Sequence, residues 1–421
     1  MKKLVSRLGK WEYKWLCLLV VVVLTLHFAI ITIPDKPVFD EAHYITDARS
    51  VISGQVTERG EHPSLGKLFV IGGILIFGDN PFGWRFFSVI LSAISLVLFY
   101  LICRNLALSK RVSLLATFLL AFENFSFIYF GLAMLDTFSL TFTLAAFWLY
   151  LRRNYPAAGI MVALSALAKL NGALAIGVIL LHWLFVRRDR IWEFIGLMVF
   201  APVFFVLLMP LTDFYTFHRW VNPLERIMTM LNGSASLTFA NVTGTYPQKP
   251  IEWIFRWDLT PYYFHPNYLG VVSYTVEFLI VPVLIYLLFR AIKISRGASR
   301  LPIKIGLSEK PGNDAAVFGL CWFAVTYLVW IPAVWITDRV TYPYYIFPTI
   351  GAICLGLGMG LSKLLGLFET SATRKLKWSA ISIVVIFLLA HLAFFVLVSP
   401  LSYFWGTPIF NAPAIPTGAS M

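Results

Sequence analysis

The sequence predicts an all-α polytopic membrane protein, and three observations predict it. Of 421 residues, 59% are apolar and only 13% are charged, where an ordinary soluble domain carries about 25% charged residues. The apolar residues fall into long runs bounded by charge. Lys and Arg concentrate in alternate connecting segments. A spanning helix needs roughly 20 apolar residues, so a chain of this length holds about ten spans with their loops. The composition excludes a soluble enzyme, a disordered chain and a fibre. A net charge of +13 would point to nucleic acid in a soluble protein. In a membrane protein it reflects basic cytoplasmic loops, and no nucleic-acid partner is expected.

The runs place spans at about 15–33, 84–102, 112–129, 135–151, 157–168, 171–186, 191–211, 268–289, 315–333, 344–362 and 378–398. With the N-terminus cytoplasmic, the inner segments are 1–14, 103–111, 152–156, 187–190, 290–314 and 363–377, and they hold 23 of the 34 Lys and Arg residues. The acidic residues lean the other way. One missed span would flip every later loop and erase this asymmetry, so eleven spans, N-in and C-out, is the consistent topology. The basic N-terminus runs into the first apolar stretch with no small-residue cleavage site, and reads as a retained signal anchor. The whole of 1–421 reads as a single transmembrane domain with two long outer segments, 34–83 and 213–267. The aliphatic stretches 44–52 and 65–77 are too short to span and suit amphipathic helices at the interface. Segment 291–314 reads as a plain basic loop, and 399–421 as a loose outer end. Cys17, Cys103, Cys321 and Cys354 form no CxxC or Cys/His cluster, so neither a disulfide framework nor a metal site is expected.

Ionisable groups gather at the predicted outer ends of the spans. Asp40-Glu41 follows the first span, and two adjacent carboxylates at a membrane surface are costly unless solvated or employed. Such a carboxylate can take a proton from a hydroxyl nucleophile. Glu61-His62-Pro63-Ser64-Leu65-Gly66-Lys67 makes a turn before a short apolar helix, and Lys67 could meet an anionic headgroup. Arg85, in Asn80-Pro81-Phe82-Gly83-Trp84-Arg85, opens the second span on the side where cations are rare, and a guanidinium grips phosphate bidentately. Asp136 opens the fourth span, Lys169 closes the fifth, and Asp338-Arg339 with Tyr342-Pro343-Tyr344-Tyr345 enters the tenth. Each group alone fits a structural ion pair equally well. Together they predict a cavity with carboxylates on one wall and cations on another, suited to a reaction between a polar acceptor and a phosphate-bearing lipid. Walker A, GxGxxG-acid, HExxH and GxSxG motifs are absent from the sequence.

These segments resemble the protein O-mannosyltransferase family, membrane glycosyltransferases of the GT-C class that use a polyprenyl-phosphate-linked mannose. The family pattern is an Asp-Glu pair after the first span, then HPPLGK, NPFGWR, an AMLD run, a Lys-containing turn and a late tyrosine-rich stretch. Here the matches are Asp40-Glu41, His62–Lys67, Asn80–Arg85, Ala133–Asp136, Lys169 and Tyr342–Tyr345, dense over 39–172 and thinner beyond. The second proline of HPPLGK is Ser64, and an arginine expected just before AMLD is absent, with Gly131 near its place. The 213–267 segment stands where eukaryotic members carry MIR repeats, so the chain resembles the compact prokaryotic type. The resemblance implies a GT-C fold and inverting transfer of mannose, or a related hexose, from dolichyl- or polyprenyl-phosphate mannose to Ser/Thr hydroxyls of proteins.

The implied roles are Asp40 as general base and Glu41 orienting the acceptor. Arg85, Lys169, Arg339 and Tyr345 would hold the donor phosphate, with His62, Lys67 and Asp136 near the acceptor. No cofactor or divalent metal is implied. The implied partners are the lipid donor, protein acceptors and membrane lipids, and a dimer, because eukaryotic members pair. The implied location is a prokaryotic plasma membrane, or the ER membrane in a eukaryote, with the site extracytoplasmic. Two alternatives stand beside this reading. One is a transferase with a lipid or glycan acceptor, as in the aminoarabinose transferases. The other is a transporter or lipid-binding protein, for which the expected broken helices and paired repeats are not visible in the sequence.

Overall fold

A computed structural model describes residues 13–242, 247–257, 259–264, 266–295, 304–307 and 312–406. Each of the eleven apolar runs is helical over most of its length. The order begins α1 (Lys14–Ile30), α2 (Glu41–Ile52), α3 (Leu65–Phe77), α4 (Pro81–Asn105), α5 (Lys110–Ala121), α6 (Asn124–Gly131), α7 (Leu135–Leu151) and α8 (Tyr155–Ala168). A 3₁₀ turn, Leu170–Ala173, leads to α9 (Leu174–His182), a π turn (Trp183–Arg187) and α10 (Ile191–Phe217). The second long segment holds α11 (Pro223–Ala235), α12 (Glu252–Phe255) and the strands β1 (Thr260–Tyr263) and β2 (Tyr268–Gly270). Then come α13 (Tyr274–Glu277), α14 (Ile280–Ala291), strands β3 (Ile292–Ser295) and β4 (Lys304–Leu307), α15 (Asn313–Phe323), a π turn (Ala324–Leu328), α16 (Trp330–Thr337), a 3₁₀ turn (Pro343–Thr349), α17 (Ile350–Thr370) and α18 (Arg374–Val398).

Local chemistry sets the helix starts. Asn80 caps α4 by accepting from the Gly83 N–H, with Pro81 in the first turn. Ser109 caps α5, Asn154 caps α8 and Asn222 caps α11 in the same way, each satisfying an amide that the helix leaves without a partner. By length and composition, seven helices among the described residues can cross a membrane, or eight when the bent pair α5–α6 counts as one span. The helices α1, α7 and α8 are shorter, at 17, 17 and 14 residues.

The helices depart from the expected spans in three places. The third run breaks at Phe122–Glu123 and bends by 67°, because the Glu123 carboxylate caps a new helix by accepting from the Phe125 and Ser126 N–H groups. The eighth begins as strand, since Thr260–Tyr263 pairs antiparallel with Tyr268–Gly270. The 291–314 segment is not a plain loop: Ile292–Ser295 and Lys304–Leu307 form an antiparallel pair. In the expected outer tail, Pro400–Phe404 is a 3₁₀ turn, and residues 407–421 lie outside the described part, as do residues 1–12 of the expected anchor.

Two polar layers mark the two ends of the bundle. At one end His182 joins Tyr150 Oη at 2.8 Å and Asp314 at 2.6 Å, and Arg187 donates to the Leu151 carbonyl. Thus the end of α7 and the starts of α8 and α15 meet the end of α9. At the other end meet the starts of α4, α7 and α17 and the ends of α1, α8 and α10. The candidate site lies there.

A candidate active site at the Asp40 end

The site is built on a buried ion pair. Glu41, in the first turn of α2, and Arg85, in the first turn of α4, are both fully buried. Arg85 Nε donates to Glu41 Oε1 at 2.9 Å and Nη2 to Oε2 at 2.8 Å. Its remaining donors go to the carbonyls of Ile31, Pro34 and Lys36. Glu41 also accepts from the Val38 and Ala133 N–H groups. All five guanidinium donors are therefore consumed, and this corrects the expectation that Arg85 grips the donor phosphate. Glu41 is likewise saturated, each carboxylate oxygen accepting two hydrogen bonds that tie α2 to α4 and to the Val38 and Ala133 backbone. Phe39 sits in the left-handed region at φ 53°, a strained conformation for a bulky residue. It is held by stacking on Tyr262 at 4.0 Å and by an edge contact with Tyr344.

These restraints aim Asp40, which is half-buried. Burial pushes its carboxyl up to about 6, against the lowering effect of Lys169 and with a further raising effect from Asp136. Lys169 bonds Asp136 Oδ2 at 2.7 Å and lies over the Tyr344 ring at 5.4 Å. Asp136 Oδ1 is buried without a partner beside a small void lined by Ser139, Thr143, Asn171 and Thr326. Lys169, Asp136 and Asp40 are thus brought together, as the sequence predicted.

His62 faces the same space, edge-on to Tyr44 at 6.0 Å. Its imidazole is held well below its ordinary value by burial and by the cations Lys169, Lys67, Arg59 and Arg339, so it is neutral at pH 7. Arg339 carries a buried Nη1 with no hydrogen-bond partner. Tyr345 packs against Trp253 and Trp330 and acts electrostatically on Lys169. Lys67 does not reach the cavity: its fully buried ammonium bonds Thr57 Oγ1, the Arg59 carbonyl and Asp47 Oδ2 at 2.6 to 2.7 Å. Asp47 sits in an opposing balance, with burial pushing its carboxyl up and the Lys67 ammonium pulling it below its usual range. The expectation that Lys67 contacts acceptor or headgroup is corrected, since its three protons are spent on Thr57, the Arg59 carbonyl and Asp47.

Sequence reasoning missed several contributors. Tyr129 and Tyr262 stand beside the Asp40 space, and Tyr262 comes from a strand inside the 213–267 segment, which read as an outer loop. Ser64 donates to Asp213 and shares a hydrogen bond with Thr216, while Arg226 bonds Asp213 and the Gly60 and His62 carbonyls. Asp213 fell at the edge of a long apolar run, and its partners are 13 and 149 residues away. Among the described residues no three His, Cys, Asp or Glu side chains gather as metal ligands would.

This helical fold is shared with solved membrane glycosyltransferases. The chain superposes on the S. cerevisiae protein O-mannosyltransferase Pmt1–Pmt2 complex bound to the sugar donor with a TM-score of 0.71 at 13% identity, covering 93% of this chain and 90% of that one. It matches ArnT from Cupriavidus metallidurans at 0.55 and 16% identity, covering 93% and 72%. It matches an Archaeoglobus fulgidus oligosaccharyltransferase at 0.57 and 12%, covering 93% and 56%. Residues 16–223, just under half of the chain, match the family model of the dolichyl-phosphate-mannose-protein mannosyltransferases. A polyprenol-phosphate-mannose–protein mannosyltransferase of Mycobacterium tuberculosis is 34% identical over 149 residues, which is 34% of this chain and 28% of that one. One from Corynebacterium glutamicum is 29% identical over 133 residues, 29% and 26% of the two chains. The chain thus aligns with little more than a quarter of these relatives' length.

Proposed function

We propose that this protein is an inverting glycosyltransferase that moves mannose from a polyprenyl-phosphate donor to Ser or Thr hydroxyls of proteins on the extracytoplasmic face. The observation that carries the reading is Asp40: a half-buried carboxylate, aimed by its neighbours and pushed up to about 6, with the Lys169–Asp136 pair opposite. A base in this range is largely ionised at neutral pH yet takes a proton readily. In the proposed step the acceptor oxygen attacks the anomeric carbon of mannose, the bond from that carbon to the phosphate oxygen breaks, and the hydroxyl proton passes to Asp40. Polyprenyl phosphate leaves with both electrons of the broken bond. Its departing oxygen needs charge stabilisation more than a proton, which Arg339, with its unpartnered Nη1, and Lys169 would supply. His62, held neutral, would contribute a hydrogen bond and no charge. Arg85 and Glu41 are assigned to holding the Asp40 loop.

The test supplies radiolabelled polyprenyl-phosphate mannose and a Ser/Thr-rich peptide pool to membranes containing the protein. Label in peptide, alkali-labile as an O-linked sugar is, is the expected outcome. Label passing only to lipid or polysaccharide would move the acceptor, and no use of the donor would overturn the reading.

A further inference from the structure

The helix α11 (Pro223–Ala235) carries three kinds of surface. Arg226 and Met230 face the protein and are buried, with Gly233 half-buried beside them. Glu225, Thr229 and Asn232 are exposed and polar. Leu224, Met228 and Leu231, at the i, i+4, i+7 spacing of one helix stripe, are 73%, 57% and 54% exposed. A helix on a soluble protein needs only two sectors, one dry and one wet. A third sector, apolar and uncovered, fits a helix that meets protein, water and hydrocarbon at once.

Its position identifies the hydrocarbon. The preceding α10 is long and apolar enough to cross the membrane, and its flank exposes Val203, Leu207, Leu211 and Phe214. Exposed Trp220 follows at the joint, where an aromatic anchor marks a membrane interface. The apolar stripe of α11 follows within a few residues of the end of the span. On its inner side Met230 packs with Leu167 and Met209 of α8 and α10.

The buried sector reaches the catalytic end of the molecule. Arg226, 2% exposed, donates to the carbonyls of Gly60 and His62 and to Asp213, and Asp213 accepts from Ser64. The neighbouring Thr57 N–H donates to the Thr216 carbonyl at 2.9 Å. We propose that α11 lies in the headgroup–acyl boundary with Leu224, Met228 and Leu231 in the lipid, and that this seating holds the 57–64 loop, and with it His62, in register. The occupant of the stripe is the bilayer itself, which such helices enter by roughly 5–10 Å. The proposal concerns lipid contact and loop order, so it stands or falls independently of the sugar and acceptor assigned above.

The experiment uses the full chain in nanodiscs, with the four native cysteines replaced and single cysteines carrying an environment-sensitive fluorophore. Labels at 224, 228 and 231 are expected to be quenched at least about 3-fold more by nitroxide on the lipid chains than labels at 225, 229 and 232, with the order reversed for aqueous iodide. Equal or greater iodide quenching at 224, 228 and 231 would overturn the proposal. In the M228D/L231D double variant, amide hydrogen exchange across 57–64 is expected to quicken about 10-fold while α4 and α7 stay protected. Unchanged exchange in that loop would overturn the seating. Should the double variant not fold, the labels on the otherwise native helix still decide the lipid contact.

Discussion

Replacing Arg85 by alanine would leave the Glu41 carboxylate buried with only the Val38 and Ala133 amides as partners. Breaking one half of a buried pair costs about 3–5 kcal/mol, so Arg85→Ala should lower thermal stability sharply. Arg85→Lys should recover little, because an ammonium offers three donors where five are in use. Thermal unfolding in detergent or nanodiscs checks this, and a variant of native stability with only weakened donor use would restore the phosphate-gripping role. For Asp40 the prediction is a pH profile. The base form is lost as pH falls through about 6, so kcat/KM should decline below that value. Lys169→Ala removes a cation that lowers the Asp40 value, so the decline should move to higher pH. Asp136→Asn removes an anion that raises it, so the decline should move lower. Shifts in the same direction, or none, would separate Asp40 from the reaction. Linkage runs the opposite way: the folded state holds this proton more tightly than an unfolded chain at 3.8, so the stability it adds is fully present below 3.8 and is lost as pH rises through about 6.

The helix α3 is set against α8 by close backbone approach. A Cβ on Gly66 would lie 2.7 Å from the Ala168 carbonyl oxygen, next to Lys169. Gly66→Ala should therefore displace the start of α3 and cost well over the activity and stability lost in Gly360→Ala or Gly366→Ala, where a Cβ meets nothing within 4 Å. Comparing the three variants by thermal unfolding and by transfer rate checks it, and equal behaviour would contradict the packing account. At this scale the sequence was legible wherever one local signal decides. The expected 135–151 is α7 to the residue, and 65–77 is the helix α3. The bend at Phe122–Glu123 was hidden because a single carboxylate in an apolar run does not announce that it caps a helix. The cluster Asp40, Asp136, Lys169, His62 was legible because each residue falls at the same predicted depth. The misreading of Arg85 and Lys67 has a common cause: a sequence gives a charge but not its partner, and Glu41 and Asp47 lie 44 and 20 residues from the cations they hold. Ser64 read as a departure from the family pattern, and its tie to Asp213 is visible only when α10 returns beside it.

At the scale of the whole molecule, the charge asymmetry of the sequence predicts an N-in, C-out chain with the Asp40 end outside. A cysteine at Ser53 should be labelled by an impermeant reagent from outside intact cells, and one at Lys110 only after permeabilisation. The reverse pattern would place the site on the cytoplasmic side. On the proposed reading, the Asp40 end offers a carboxylate base, a neutral imidazole and the cations Lys169 and Arg339 to a phosphate-linked sugar. The measurement that bears most directly on this account compares wild type with Asp40→Asn in matched membranes, following radiolabelled mannose from polyprenyl phosphate into peptide while thermal unfolding is recorded on the same samples. General-base help is worth about 10²–10⁴-fold, so the account predicts that transfer falls by at least about 100-fold with the unfolding temperature unchanged. Transfer at the wild-type rate in the folded Asp40→Asn protein would contradict it.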